Sequence, residues 1–161
     1  EFGVFSGYSI NYFAGQNPNR IVYGFDSFEG LAEDWVGTGL QKGAFDLQGK
    51  LPVVSSNVVL VPGWFEDTVP IFCKTYGVDV AFIHLDADTY HATNCVLSLL
   101  AKGIGPGCIM IFDEHHGYPN WQNGEFRALN EFAKQHNIRF RYLGFSEMAA
   151  VIQIVDTSEP S

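Results

Sequence analysis

Short apolar runs alternate with helical periodicity along the chain. Residues 2–5, 21–25, 58–61, Val80–Leu85 and 108–112 are apolar runs of strand length. Between them, Ile10, Phe13 and Ala14 share one helical face after the turn Ser6-Gly7, and a helix is predicted over 68–76 with Pro70 in its first turn, where a missing N–H costs nothing. Val96, Leu97, Leu100 and Ala101 mark another face, closed by Lys102 and Gly103. Asn123 reads as the cap of a helix carrying Phe126, Leu129, Phe132 and Ala133 on one side. Strand and helix in regular exchange predict βαβ units and a mostly parallel sheet.

The C-terminal part breaks that rhythm. Ile138–Phe145 and residues 149–155 read as two strands joined by a few residues, too few for the crossover a parallel pair needs, so they must be antiparallel. An ordinary dinucleotide-binding fold would place a helix there. The expectation is therefore an α/β domain over 1–155: a single doubly wound, mostly parallel seven-stranded sheet of methyltransferase type, with a C-terminal antiparallel hairpin and a stub for its first strand. Residues 156–161 read as a polar, disordered tail. The stretch 30–56 is long for a structureless connection, which makes it a lid, a substrate loop or a surface insertion.

Composition narrows the function classes. The chain has 161 residues, enough for one domain with its own core, and no apolar run approaches the roughly 20 residues that cross a bilayer. A net charge of −9 argues against a phosphate-tracking surface, so neither nucleic acid nor membrane is expected as a partner. Cys73, Cys95 and Cys108 are odd in number, lie in apolar stretches and lack metal-ligand spacing; they read as reduced core thiols. With no signal peptide visible, a cytoplasmic location is the expectation.

Two constellations carry chemistry. In Glu1-Phe-Gly3-Val-Phe-Ser6-Gly7 a strand end turns into a helix, with glycines where backbone approaches a ligand, and Asp26 follows about 20 residues later at the end of the next strand. There an acid can take the hydroxyls of a ribose, and together they suggest an adenosine-containing cofactor. The second is Asp86-Ala-Asp88 with Asp113-Glu114, after two strands that are neighbours in such a sheet. Four carboxylates converging at one rim call for a hard cation such as Mg²⁺; the plainer alternative is a set of solvated acids, some capping helices. Gly63 and Trp64 follow the 58–61 strand, where Trp64 either lines an adenine pocket or simply packs. Among the histidines, His84 reads as a core or supporting residue, and His115 as a candidate proton acceptor or substrate contact.

The segments Val22-Tyr-Gly-Phe-Asp26-Ser-Phe-Glu-Gly30-Leu, Gly63-Trp-Phe-Glu-Asp67-Thr, His84-Leu-Asp86-Ala-Asp88-Thr-Tyr90, Phe112-Asp113-Glu114, Tyr118-Pro-Asn-Trp121 and Gly124-Glu125 resemble the macrocin O-methyltransferase family. The resemblance implies a metal-dependent, S-adenosylmethionine-dependent O-methyltransferase acting on a sugar-type or natural-product hydroxyl. It implies that Asp86, Asp113 and Glu114 hold the metal and that Asp88 is the general base. It also implies that Gly3, Ser6, Gly7 and Ser9 surround the methionine end of the cofactor, with Asp26 and Ser27 on its ribose. The expected partner is a small-molecule hydroxyl acceptor, and self-association stays open. Two alternatives compete: a non-catalytic module of the same fold, and a haloacid-dehalogenase-like phosphatase using Asp86-Ala-Asp88-Thr89. The phosphatase motif normally sits on a first strand, and here it falls mid-chain.

Overall fold

The computed structural model describes residues 1–157. Its elements are α1 (Tyr8–Gln16), β1 (Val22–Asp26), β2 (Val58–Pro62), α2 (Phe65–Tyr76), β3 (Val80–Leu85), α3 (Tyr90–Leu100), β4 (Ile104–Phe112), α4 (Glu125–Gln135), β5 (Ile138–Phe145) and β6 (Ala150–Thr157). Short 3₁₀ turns at Ala101–Gly103 and Trp121–Asn123 precede β4 and α4.

The expected single seven-stranded sheet is corrected. Six strands form two ladders, a parallel pair β1-β2 and a mixed sheet ordered β3-β4-β6-β5. The segment at Phe2 lies between them as isolated parallel bridges to Phe25 and Leu85. Only those residues of the predicted 2–5 run pair, because Gly3 turns the chain with φ +86 and the following N–H groups are drawn off by a side chain described below. The hairpin is as expected: β5 and β6 run antiparallel, and β6 also pairs antiparallel with β4. Of the polar tail, Asp156 and Thr157 complete β6, opposite Arg139 and Ile138; residues 158–161 lie outside the described residues.

Strand alternation sorts side chains onto two faces. Phe25, Ile83, Leu85, Cys108, Met110, Phe112, Ile152 and Ile154 turn toward α2, α3 and α4 and form the main core with Val69, Val96, Leu97, Leu129 and Phe132. On the opposite face α1 lays Ile10 and Ala14 over β1 and β2, with Val4, Phe28 and Val58. Gly24 makes that contact possible, since a Cβ there would stand 2.4 Å from the tip of Ile10.

Three local expectations shift. Helix α2 begins at Phe65, so Pro70 sits inside it on an exposed position rather than in the first turn. Helix α4 is preceded by Gly124, with Asn123 in the 3₁₀ turn, and Glu125 joins Ala128, Leu129, Phe132 and Ala133 as its buried residues while Phe126 is half-buried. Of the three free thiols only Cys108 is buried; Cys73 and Cys95 are intermediate. No helix among the described residues is long and apolar enough to cross a membrane.

Leu97 is fully buried where α3 meets the strands and α4. Leu97→Ala should cost about 2–5 kcal/mol of stability, read as a lower urea midpoint at unchanged slope.

Candidate active site

The C-terminal ends of β1, β2, β3 and β4 open onto a cavity of about 780 Å³. Gly3, Asp26, Ser27, Gly63 and Trp64 line one part of it, and Asp86, Asp88 and Glu114 another. Its remaining wall comes from the long loop, through Leu31, Glu33, Trp35 and Phe45. The predicted lid or substrate loop is thus a folded wall. Leu31 and Ala44 are tied by main-chain hydrogen bonds, Trp35 pairs with Leu40 and sets its ring edge-on to Tyr118, and Glu33 meets His91 at 2.8 Å.

The turn after Phe2 is organised by Asp26. One of its oxygens accepts the N–H groups of Val4 and Phe5, both at 2.8 Å, and the other accepts that of Phe28 at 2.7 Å. Its carboxylate therefore fixes the turn it lines the cavity with. Gly3 is required at this point: a Cβ would lie 1.8 Å from the Asp86 carbonyl oxygen. The other residues expected around the cofactor divide. Ser6 and Ser9 line a smaller neighbouring cavity of about 490 Å³, which shares Phe5 and Asp86 with the first. Gly7 lines neither; it caps α1 at φ 83 and packs beside Pro52 and Val54.

The four expected carboxylates do not all converge. Asp86, Asp88 and Glu114 each bring an oxygen within 4.8 Å of the others. Asp113 turns instead into the smaller cavity, where its Oδ1 lies 3.6 Å from His84 Nε2. Adjacent residues leaving a strand end point to opposite sides, so Asp113 and Glu114 separate. Asp88 reaches the cluster through a tight turn, Thr89 N–H to Ala87 carbonyl at 2.6 Å, that holds it at φ 61. A non-glycine residue in that region is strained, a condition that concentrates at functional sites.

Burial sets the electrostatics. It raises Asp88 to about 8, helped by the neighbouring Asp86, and raises Asp86 to about 7, helped by Asp113. Burial, then the adjacent Glu125, pushes Glu114 up strongly. Glu114 Oε2 is buried without a hydrogen-bond partner, and no lysine or arginine lines the cavity among the described residues. Clustered acids in a cavity that no lysine or arginine lines, one of them with an unsatisfied oxygen, are a donor set that fits a hard divalent ion.

Behind this cluster lie two residues whose roles sequence reasoning missed. Glu1 accepts the Ser9 hydroxyl at 3.0 Å and meets His84 Nδ1 at 2.9 Å. Burial opposes the charge on His84, but Asp113 and Glu1 outweigh it and lift the ring to about 9. Glu125 is fully buried beneath Glu114. Only the pairing of strand ends in space could have exposed either link. His115 is not brought to the cavity. It is 2% exposed, bonded to Tyr142 through Nε2 at 2.9 Å, and lowered to about 4 by burial and by His116.

A nucleoside-sized cavity at the strand ends, a glycine turn against an acid at the next strand, and an antiparallel hairpin closing the sheet define a methyltransferase of the α/β class. The macrocin O-methyltransferase model matches residues 12–149, and the chain belongs to that family. Among solved structures it is similar to CalS11, titled a calicheamicin methyltransferase: 26% identity over 94% of this chain and 70% of that one, TM-score 0.73. The apo form of the same protein, titled a TDP-rhamnose 3'-O-methyltransferase, gives 25% identity over 94% and 69%, TM-score 0.64. The O-methyltransferase NovP, at 20% identity over 96% and 70% with TM-score 0.65, shares the fold. No curated protein matches the chain in sequence. The chain is an enzyme of the methyltransferase class by family and fold, which sets aside the phosphatase alternative.

Without a cation the folded protein holds protons that the unfolded chain releases. Asp86, Asp88 and Glu125, the last raised by burial to about 8, would lose theirs near their ordinary values of 3.8 to 4.5 once unfolded. Stability therefore falls as pH rises from about 4 through about 8. His84 acts in the same direction: its contribution is whole below about 6.5 and is lost as pH passes about 9. Thermal melts in chelator between about pH 5 and pH 9 should show Tm decreasing across the window; a Tm that climbs would contradict these assignments.

Proposed function

We propose that this enzyme transfers the methyl group of S-adenosylmethionine to a hydroxyl of a small sugar-type or natural-product acceptor, with a divalent cation at Asp86 and Glu114. The observation that carries the reading is the meeting of Asp86, Asp88 and Glu114 beside the pocket that Gly3, Asp26, Ser27, Gly63 and Trp64 line. Family membership supports the reaction class, and the titles of the CalS11 structures support a sugar-type acceptor. A related fold titled as an S-adenosylhomocysteine-bound methyltransferase from Podospora anserina, 17% identical, supports the fold alone.

The cofactor's cationic sulfonium suits a cavity bordered by six acidic side chains, Asp26, Glu33, Glu66, Asp86, Asp88 and Glu114, and by no lysine or arginine among the described residues. Asp26, Ser27, Gly63 and Trp64 would hold its nucleoside, and Gly3, Ser6 and Ser9 its amino-acid end. Methyl transfer from sulfur is an in-line displacement, so the protein's task is to align donor and acceptor and to make the hydroxyl a better nucleophile. A bound divalent ion would supply Lewis-acid polarisation of the acceptor oxygen. Asp88, in the same cluster, takes the hydroxyl proton once a neighbouring cation has offset the burial that keeps it protonated, and the strained turn at φ 61 holds its carboxylate there. The loop wall at Leu31, Trp35 and Phe45 keeps water from the reacting atoms. Asp113, held by His84, is left with a supporting part.

Calorimetry with S-adenosylmethionine, with and without Mg²⁺, and an assay of S-adenosylhomocysteine release over sugars and phenols test the reading. The expected result is cofactor binding in both conditions and Mg²⁺-dependent turnover. Asp88→Asn should lower turnover by about a hundredfold or more while cofactor affinity stays within about threefold. Absence of cofactor binding would overturn the assignment; full activity in Asp88→Asn would remove the base.

A further inference from the structure

We infer that Glu125 is a positioning residue for the acidic cluster: it holds the turn after β4 so that the Glu114 carboxylate projects toward Asp86 and Asp88. The inference rests on the cation reading of that cluster.

Glu125 is the first residue of α4, 0% exposed, and lines neither cavity. Its two oxygens are used separately. Oε2 accepts the Glu114 main-chain N–H at 3.0 Å, and Oε1 accepts the hydroxyl of Thr93 on α3 at 3.2 Å. One buried carboxyl thus ties together the end of β4, the first turn of α3 and the start of α4. The start of a helix is a favourable place for it, because the free N–H groups there offset negative charge. Gly124 allows α4 to begin at this spot, since a Cβ would stand 2.2 Å from the Tyr118 hydroxyl.

The tie matters because beyond its interaction with Asp113 the Glu114 side chain has no anchor at its far oxygen. Its Oε2 is buried without a protein partner, so the direction of its side chain follows from the backbone beneath it. An apolar residue at 125 would leave the Glu114 N–H and the Thr93 hydroxyl buried without acceptors, and the turn would relax to find others. Groups that orient ligands in this way typically change metal affinity by 10–100-fold when removed.

The test is cation affinity, measured by calorimetric titration of Mn²⁺ or Mg²⁺ into the protein without cofactor or acceptor, alongside Tm. Glu125→Gln keeps both bonds, its carbonyl accepting from Glu114 and its amide donating to Thr93 Oγ1, and should bind within about threefold of wild type. Glu125→Ala should bind about tenfold or more weakly. If Glu125→Ala does not fold, Glu125→Asp, one methylene short of spanning both donors, should still lose about fivefold. A purely structural role would lower Tm in these variants and leave affinity unmoved, which overturns the inference while sparing the cation site. Equal weakening in Glu125→Gln would also overturn it, assigning the effect to charge rather than orientation. Failure of the wild type to bind either ion would instead remove the cation reading itself.

Discussion

Everything at the cavity depends on main-chain hydrogen bonds made by three residues, Glu1 to Gly3. Phe25 N–H donates to the Glu1 carbonyl and Gly3 N–H to that of Phe25; on the other side Phe2 N–H donates to His84 and Asp86 N–H to Phe2, each at 2.9 Å. These bonds join the β1-β2 pair to the four-stranded sheet, and so set Asp26, Ser27, Gly63 and Trp64 beside the acidic residues at one cavity. Stacking of Phe2 on Phe25 and its edge contact with Phe65 bury the seam. Loss of that seam would leave both ladders with their own cores, Phe28 and Ile10 on one side and Leu97 and Phe112 on the other, yet with no common rim.

The second governing constraint is charge. Asp86, Asp88, Glu114 and Glu125 are gathered into a largely water-excluded region whose nearby positive group, His84, faces Asp113 and Glu1 instead. Isolated buried carboxylates are unfavourable, and the protein answers by retaining protons on them. Gathering acids in this way costs folding stability, which is the familiar tension between stability and activity.

Much of the architecture was legible in the periodicity. Apolar runs of strand length bounded by turn residues gave β3, β5 and β6 nearly to the residue, and only in β6 do buried positions alternate regularly with less buried ones. The pairing of β5 with β6 followed from connection length alone. Boundaries failed where local chemistry competes: α2 starts three residues before the predicted 68, and Gly124 rather than Asn123 leads into α4, since close approach to Tyr118 overrides the usual capping preference. Of the site, Asp86, Asp88 and Glu114 were readable as acids at neighbouring strand ends. The turn of Asp113 toward His84, the retreat of His115 behind Tyr142 and the burial of Glu125 were not, because each depends on which side of the sheet a side chain leaves.

The wall over the cavity is constructed unlike the floor. Between Leu31 and Phe45 it is held by main-chain bonds, a tryptophan resting on Tyr118 and a glycine pressed against Pro119, while the floor is anchored in the central core. Side chains that the wall turns into the cavity can therefore be exchanged without repacking the strands that form its floor. In such a division of labour, the range of molecules admitted is free to drift during evolution while the reaction itself stays constant.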